Sequence, residues 1–158
     1  MSRSALFFQY RERVVSPAFT AVVMGAGRIL AVEKAPQDFW FYSVEAGALA
    51  GHGVSQEEAL EAFRETFTNA LHRLAADAQS FNAFRAKALE LFECIDHTNE
   101  QAWQLAAQSE HTSTIQQPGQ PHAPVERAQF IQVFEERRRN TERALELSGA
   151  SLGAFSAA

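Results

Sequence analysis

Leu60, Phe63, Phe67, Leu71 and Leu74 recur at helical spacing and form one apolar stripe. Burying five such side chains contributes on the order of 10 kcal/mol, as an upper bound before ordering costs. A helix with that stripe has to pack on another element. Its start is marked by Ser55-Gln56-Glu57-Glu58, a capping box. Ser55 can accept from the amide of Glu58, and the Glu58 carboxylate can reach back to the amide of Ser55. Glu57 and Glu58 also suit the positive end of the helix dipole.

The element it packs on is legible just upstream. Residues 39–45 (FWFYSVE) are the strongest strand in the chain, since aromatic and β-branched side chains suit a pleated, half-buried surface. Pro36-Gln37-Asp38 is a turn, and residues 28–33 form a strand before it. Gly25-Ala26-Gly27 reads as another turn, with the apolar residues 19–24 as a further strand. Residues 47–53 (GALAGHG) fit a short edge strand or a loop. Together these segments predict a three-stranded antiparallel meander over about residues 19–76, with the Ser55 helix across one face. Residues 4–15 are ambiguous. Leu6, Phe8 and Tyr10 alternate as in a strand, whereas Leu6, Phe7 and Tyr10 fit a helical turn. Pro17 ends whichever forms.

Downstream, Phe81, Phe84, Ala88, Leu91, Phe92 and Ile95 predict a second helix over about residues 81–95, capped by Ser80. A weaker third helix follows Thr98, with Gln101 as its capping partner and Trp103, Ala106 and Ala107 as support. Residues 109–124 hold three prolines and a glycine and read as a linker or long loop. A last helix is expected over residues 125–148, with Ile131, Phe134 and Leu145 on one side and Gly149 as its stop. The fold class is therefore α+β. A small sheet with a packed helix (1–78) is followed by a helical extension (79–108), the linker (109–124) and a C-terminal helix and tail (125–158).

Composition narrows the function. The 158 residues fit one domain, and 46% are hydrophobic, enough for a sizeable core. Most of the 13 phenylalanines belong in that core. A formal net charge of -5 argues against a surface that binds phosphate throughout and suits a basic protein partner. Cys94 is the one cysteine, so neither an intramolecular disulfide nor a cysteine-based zinc site can form, and a reducing, cytoplasmic setting is expected. No signal peptide is legible, and no run approaches the roughly 18 apolar residues of a membrane span.

The chemistry-bearing patterns are weak. Gly25-Ala26-Gly27 lacks the third glycine of a dinucleotide fingerprint, Leu30 standing there instead, and a strand follows it rather than a helix. There is no P-loop and no G-x-S-x-G elbow. His52, His72, His97, His111 and His122 are scattered, and only His97 adjoins another ligand type, Asp96. No catalytic residue, metal or cofactor is assigned. On the last helix, Arg127, Arg137, Arg138, Arg139 and Arg143 make a basic face that Glu126, Glu135, Glu136, Glu142 and Glu146 dilute. A solvated, salt-bridged helix and a phosphate-contacting helix both fit that pattern, the second through Arg137, Arg138, Arg139 and Arg143.

Residues 29–66 resemble the HicB-like antitoxin family. The likeness runs from the strand over residues 29–34 through an acidic turn ending at Asp38 to the aromatic strand over residues 39–44. It is sharpest at Gly53-Val54-Ser55-Gln56-Glu57-Glu58-Ala59-Leu60, and Arg64 and Glu65 fit the continuation. The Pro-Asp-x-Pro-Gly-Cys segment usual before the glycine is replaced by Glu45-Ala46-Gly47-Ala48-Leu49-Ala50, and the helices after residue 80 differ from the family's usual DNA-binding modules. The resemblance implies a truncated ribonuclease-H-like sheet with a packed helix, which is not an enzyme. It also implies an inhibitor that masks a small basic RNA-targeting toxin. A phage-type inhibitor of a host defence nucleoprotein complex, or a DNA-binding regulator working through the C-terminal arginines, is the alternative. The expected partner surface is Gly51, His52, Gly53, Glu57, Glu61 and Glu65, where an uncovered strand edge can accept an added strand. Homo-oligomerisation stays open.

Overall fold

A computed structural model describes residues 1–47, 49–109, 113–115 and 130–136, with the backbone alone at 113–115 and 130. The elements are β1 (Ser2–Val15), β2 (Thr20–Ala35), β3 (Asp38–Ser43), β4 (Ala50–Gly53), α1 (Gln56–Asp77), α2 (Phe81–Glu93), α3 (His97–Ser109), β5 (Ser113–Ile115) and β6 (Phe130–Glu135). The fold is α+β. One sheet runs β4-β3-β2-β1-β5, and β6 pairs with β2. Strands β2, β3 and β4 make an antiparallel three-stranded meander within the expected residues 19–76; β1 pairs antiparallel with β2, and β5 adds to β1 in parallel.

Residues 4–15 resolve to strand. β1 and β2 form one long hairpin from Ser2↔Glu33 to Val15↔Thr20. The sequence pattern is blurred there because both faces are covered: Leu6, Phe8 and Tyr10 enter one core, and Ala5 and Phe7 the other. A half-solvated strand would alternate cleanly, but a doubly buried one reads as a continuous apolar run.

The expected turn at Gly25-Ala26-Gly27 is absent, and the two strands read on either side of it are one strand, β2. Its glycines answer a packing demand instead. Gly25 and Gly27 stand opposite Tyr10 and Phe8, and a Cβ on Gly27 would lie 3.2 Å from Oε2 of Glu45. The turn at Pro36 and Gln37 forms as expected, with Gln37 in the left-handed region at φ 63°.

The expected C-terminal helix over residues 125–148 is corrected at residues 130–135, which form β6; residues 125–129 and 137–148 lie outside the described residues. Its periodicity is two, not 3.6. Ile131 and Val133 pack on the core, while Gln132 and Phe134 point outward, Phe134 being 50% exposed. β6 lies beside residues 21–26 of β2 and β3 beside residues 29–35, so the long strand has a different partner for each half.

Helices cover both faces of the sheet. Ala59, Phe63, Phe67, Leu71 and Ala75 of α1 share a core with Phe84, Ala88 and Phe92 of α2, and Leu60 and Leu74 pack at its margin. On the other face, Trp103 and Ala106 of α3 pack on Ala5, Phe7, Leu30, Val32 and Val44. Ser55 caps α1 by accepting from Glu58 N at 3.1 Å, but the Glu58 carboxylate accepts from Val54 N at 2.8 Å rather than from Ser55. Ser80 caps α2, accepting from Ala83 N at 3.1 Å. α3 starts earlier than expected because Asp96, not Thr98, is its cap, accepting from Asn99 N at 2.8 Å. Cys94, at the end of α2, is exposed. Among the described residues no helix is long and apolar enough to cross a membrane.

Candidate functional site

The glycine-rich segment is the edge strand β4, and its sequence is set by α1. Gly51 and Gly53 face the helix: a Cβ on Gly51 would approach the carbonyl oxygen of Ala59 to 2.6 Å, and one on Gly53 would meet Ala59 N at 2.5 Å. Only glycine lets the helix backbone lie this close. The orientation of the strand follows from its register. Ser43 N donates to Leu49 O at 2.9 Å, and Phe41 pairs with Gly51 and Phe39 with Gly53. Bonded pairs alternate along an antiparallel ladder, so the amides and carbonyls of Ala50 and His52 point away from β3. Among the described residues no strand lies beyond β4. Among the described residues nothing pairs with these outward backbone groups, the arrangement that accepts an added strand.

His52 projects from β4 on the face opposite α1. Trp40, its cross-strand partner, lies 4.4 Å away between ring centroids. Oδ1 of Asp38 stands 2.9 Å from both His52 Nε2 and the donating Trp40 Nε1, so one carboxylate orients both rings. Trp40 is parallel to Tyr42 within 3°, at 5.6 Å. The Lys34 ammonium sits over both rings, 4.5 Å from Trp40 and 5.6 Å from Tyr42. Sequence reading named His52 but not these neighbours, which the strand register alone brings to it.

Glu57, Glu61 and Glu65 are all exposed on α1. Each precedes a buried residue, Ala59, Phe63 or Phe67, by two positions, a rotation of about 200° at 3.6 residues per turn. The acidic row therefore lies on the solvent side of the helix. Gly51 and Gly53 lie against α1 at Ala59 and Glu58, whereas the acidic row faces away from them. Arg137, Arg138, Arg139 and Arg143 lie outside the described residues.

Sequence reasoning missed a buried charge network. Arg28 Nε donates to Glu45 Oε1 and Arg28 Nη2 to Glu100 Oε2, each at 2.7 Å, while the Arg28 backbone amide donates to Glu45 Oε2 at 2.7 Å. The guanidinium also lies 5.6 Å from the Trp103 ring. Its hydrogen bond holds the Glu100 carboxyl below the usual carboxylate range. The available signal was a lone Arg28 and a lone Glu45 at the ends of otherwise apolar strand segments, read as strand boundaries rather than as partners. Nearby, the Tyr10 hydroxyl is buried without a hydrogen-bond partner among the described residues. Burial pushes its pKa up, and the Glu45 charge adds to this. It borders a cavity of about 20 Å³, which holds one water at most.

A second cavity, of about 170 Å³, is lined by Ser2, Ser4, Glu33, Phe39 and Gln56. Small-molecule sites typically enclose about 300–1,000 Å³, so this hollow is a poor host for one. Among the described residues no group of three His, Cys, Asp or Glu side chains converges as metal ligands would. The chain matches no protein-family model, no curated protein and no solved structure.

Proposed function

We propose that the protein is a non-enzymatic binding module, a HicB-like inhibitor that masks a small basic RNA-targeting protein by taking one of its strands onto β4. The observation that carries this reading is the open β4 edge, with the Ala50 and His52 backbone groups directed outward and α1 packed behind. Main-chain bonds to such an edge supply affinity, and the side chains beside it supply selectivity. The net charge of -5 and the exposed row Glu57, Glu61 and Glu65 favour a basic partner and speed its encounter. The residues that resemble the HicB-like antitoxins, 29–66, hold the second half of β2, all of β3 and β4, and the start of α1.

Affinity capture from native lysate with mass spectrometry tests the reading. One small basic protein, retained in stoichiometric amount, is the expected result. Charge reversal at Glu57, Glu61 and Glu65 should weaken that complex and make what remains less sensitive to salt. Retention of a large nucleoprotein would favour the phage-type inhibitor instead. A protein that runs alone and consumes a substrate would end the binding-module reading.

A further inference from the structure

From the aromatic face formed by Trp40, Tyr42 and His52, with Lys34 and Arg3 beside it, we infer a stacking site for the bases of a single-stranded nucleic acid. This site is on the face of the sheet, whereas the proposed protein contact is along the β4 edge, so the two stand or fall separately.

The register builds the site. His52, Trp40, Val32 and Arg3 occupy one cross-strand row over β4, β3, β2 and β1. Neighbouring strands are about 4.8 Å apart, which puts Arg3 about 10 Å from Trp40, within one nucleotide's reach of a base stacked there. Tyr42 continues the aromatic surface in the next row, parallel to Trp40 within 3°. The Asp38 carboxylate fixes the Trp40 and His52 rings, so little side-chain freedom is lost when a ligand lands on them.

Lys34 covers the rings in the free protein, and the competition favours a base. An exposed ammonium over an aromatic face contributes about two- to five-fold in equilibrium constant. Base stacking on an aromatic side chain contributes about five- to 150-fold per base. A base therefore displaces the ammonium, which then stands free to meet the adjoining phosphate. Lys34 and Arg3 are the exposed cations flanking the rings, so binding engages about two phosphates and its log–log salt slope is about -1.4. The overall charge of -5 keeps affinity modest and confines binding to short single-stranded segments.

The chain has two tryptophans, the half-buried Trp40 and Trp103 of α3, which is buried in the core that Trp40 and Tyr42 edge. Their indole N–H signals in a proton–nitrogen correlation spectrum, assigned with Trp40→Phe, report the site directly. The full chain is titrated with a uridine RNA hexamer, a thymidine DNA hexamer and inorganic polyphosphate. The Trp40 signal should move with a hexamer while Trp103 stays fixed, and polyphosphate should leave both in place. A response to both hexamers assigns recognition to base and phosphate, and a response to RNA alone adds the 2′-hydroxyl. Lys34→Glu should weaken binding about ten-fold, and Trp40→Ala about five- to 150-fold. Lys34 is exposed, so its variant keeps the test valid should Trp40→Ala fail to fold. An unmoved Trp40 signal with both hexamers, an equal response to polyphosphate, or unchanged affinity in Lys34→Glu overturns the inference.

Discussion

The two faces of the sheet are held by different physics. Under α1 and α2 the contacts are almost wholly apolar and aromatic: Tyr10 lies 4.5 Å from Phe67, Phe8 5.4 Å from Phe63 and Phe67 5.8 Å from Phe92. Under α3 fewer residues are buried, and polar bonds supplement them. Trp103 Nε1 donates to Leu6 O at 3.0 Å, and Arg28 joins Glu45 on the sheet side to Glu100 on the helix. The first face draws its stability from removed apolar area, which needs no charged group to stay paired. On the second, a helix is attached through a charge that has to stay paired, and pairing of buried charges is costly to disturb from either side.

The largest effects should separate the two faces by mechanism. Phe67→Ala should lose about 3–5 kcal/mol by leaving a cavity. Arg28→Met should lose about 3–5 kcal/mol by leaving Glu45 buried without its cation. Adding Glu45→Gln discriminates further. By urea unfolding it should recover part of the Arg28→Met loss, because the stranded charge is gone, and none of the Phe67→Ala loss. Equal recovery in both backgrounds would merge the two faces into one kind of core.

Gly51→Ala comes next, at about 1–3 kcal/mol, because its Cβ would strike the α1 backbone rather than a movable side chain. A tolerated alanine would mean that α1 rides higher over β4 than described. Ser55→Ala should cost about 1 kcal/mol through loss of the α1 cap. An unchanged urea midpoint would place the helix start elsewhere.

The smallest effect sharpens the α3 side. Arg28 depresses the Glu100 pKa in the folded state. The stabilisation is therefore fully present above the unfolded value of about 4.3 and is lost as pH falls through the folded one. Replacing Glu100 with Gln should flatten the acid limb of the stability curve and leave its neutral limb parallel to wild type. A steeper acid limb in the variant would contradict the assignment.

How much of this was readable in advance follows the same division. The α1 side was legible because its signals are local: a cap at Ser55, a stripe through Phe63, Phe67 and Leu71, and alternation in residues 39–43. On the α3 side the helix and its Trp103 and Ala106 contacts were legible, but the charge network was not, since Arg28, Glu45 and Glu100 are brought together from three distant stretches, and a single charge at a strand end looks like a boundary. Gly25 and Gly27 misled for a related reason. A glycine that makes room for a carboxylate and two aromatic neighbours has the same local signature as one that makes a turn. β6 was read as helix because Ile131 and Phe134 are three apart, whereas the pair that packs on the core is Ile131 and Val133. At the candidate site, His52 and the β4 glycines could be named from sequence, but the Trp40, Asp38 and Lys34 cluster required the register.

The most direct test of the central claim uses the backbone of β4. Ala50 directs its amide outward, so Ala50→Pro removes a donor from the free edge while sparing the bonds to β3 and the rings around His52. Parallel capture from lysate with wild type and Ala50→Pro, quantified by mass spectrometry alongside each thermal midpoint, reads the edge alone. The account predicts one small basic protein held by wild type and lost from the variant, at a closely similar midpoint. The same protein retained equally by both would contradict strand addition at β4.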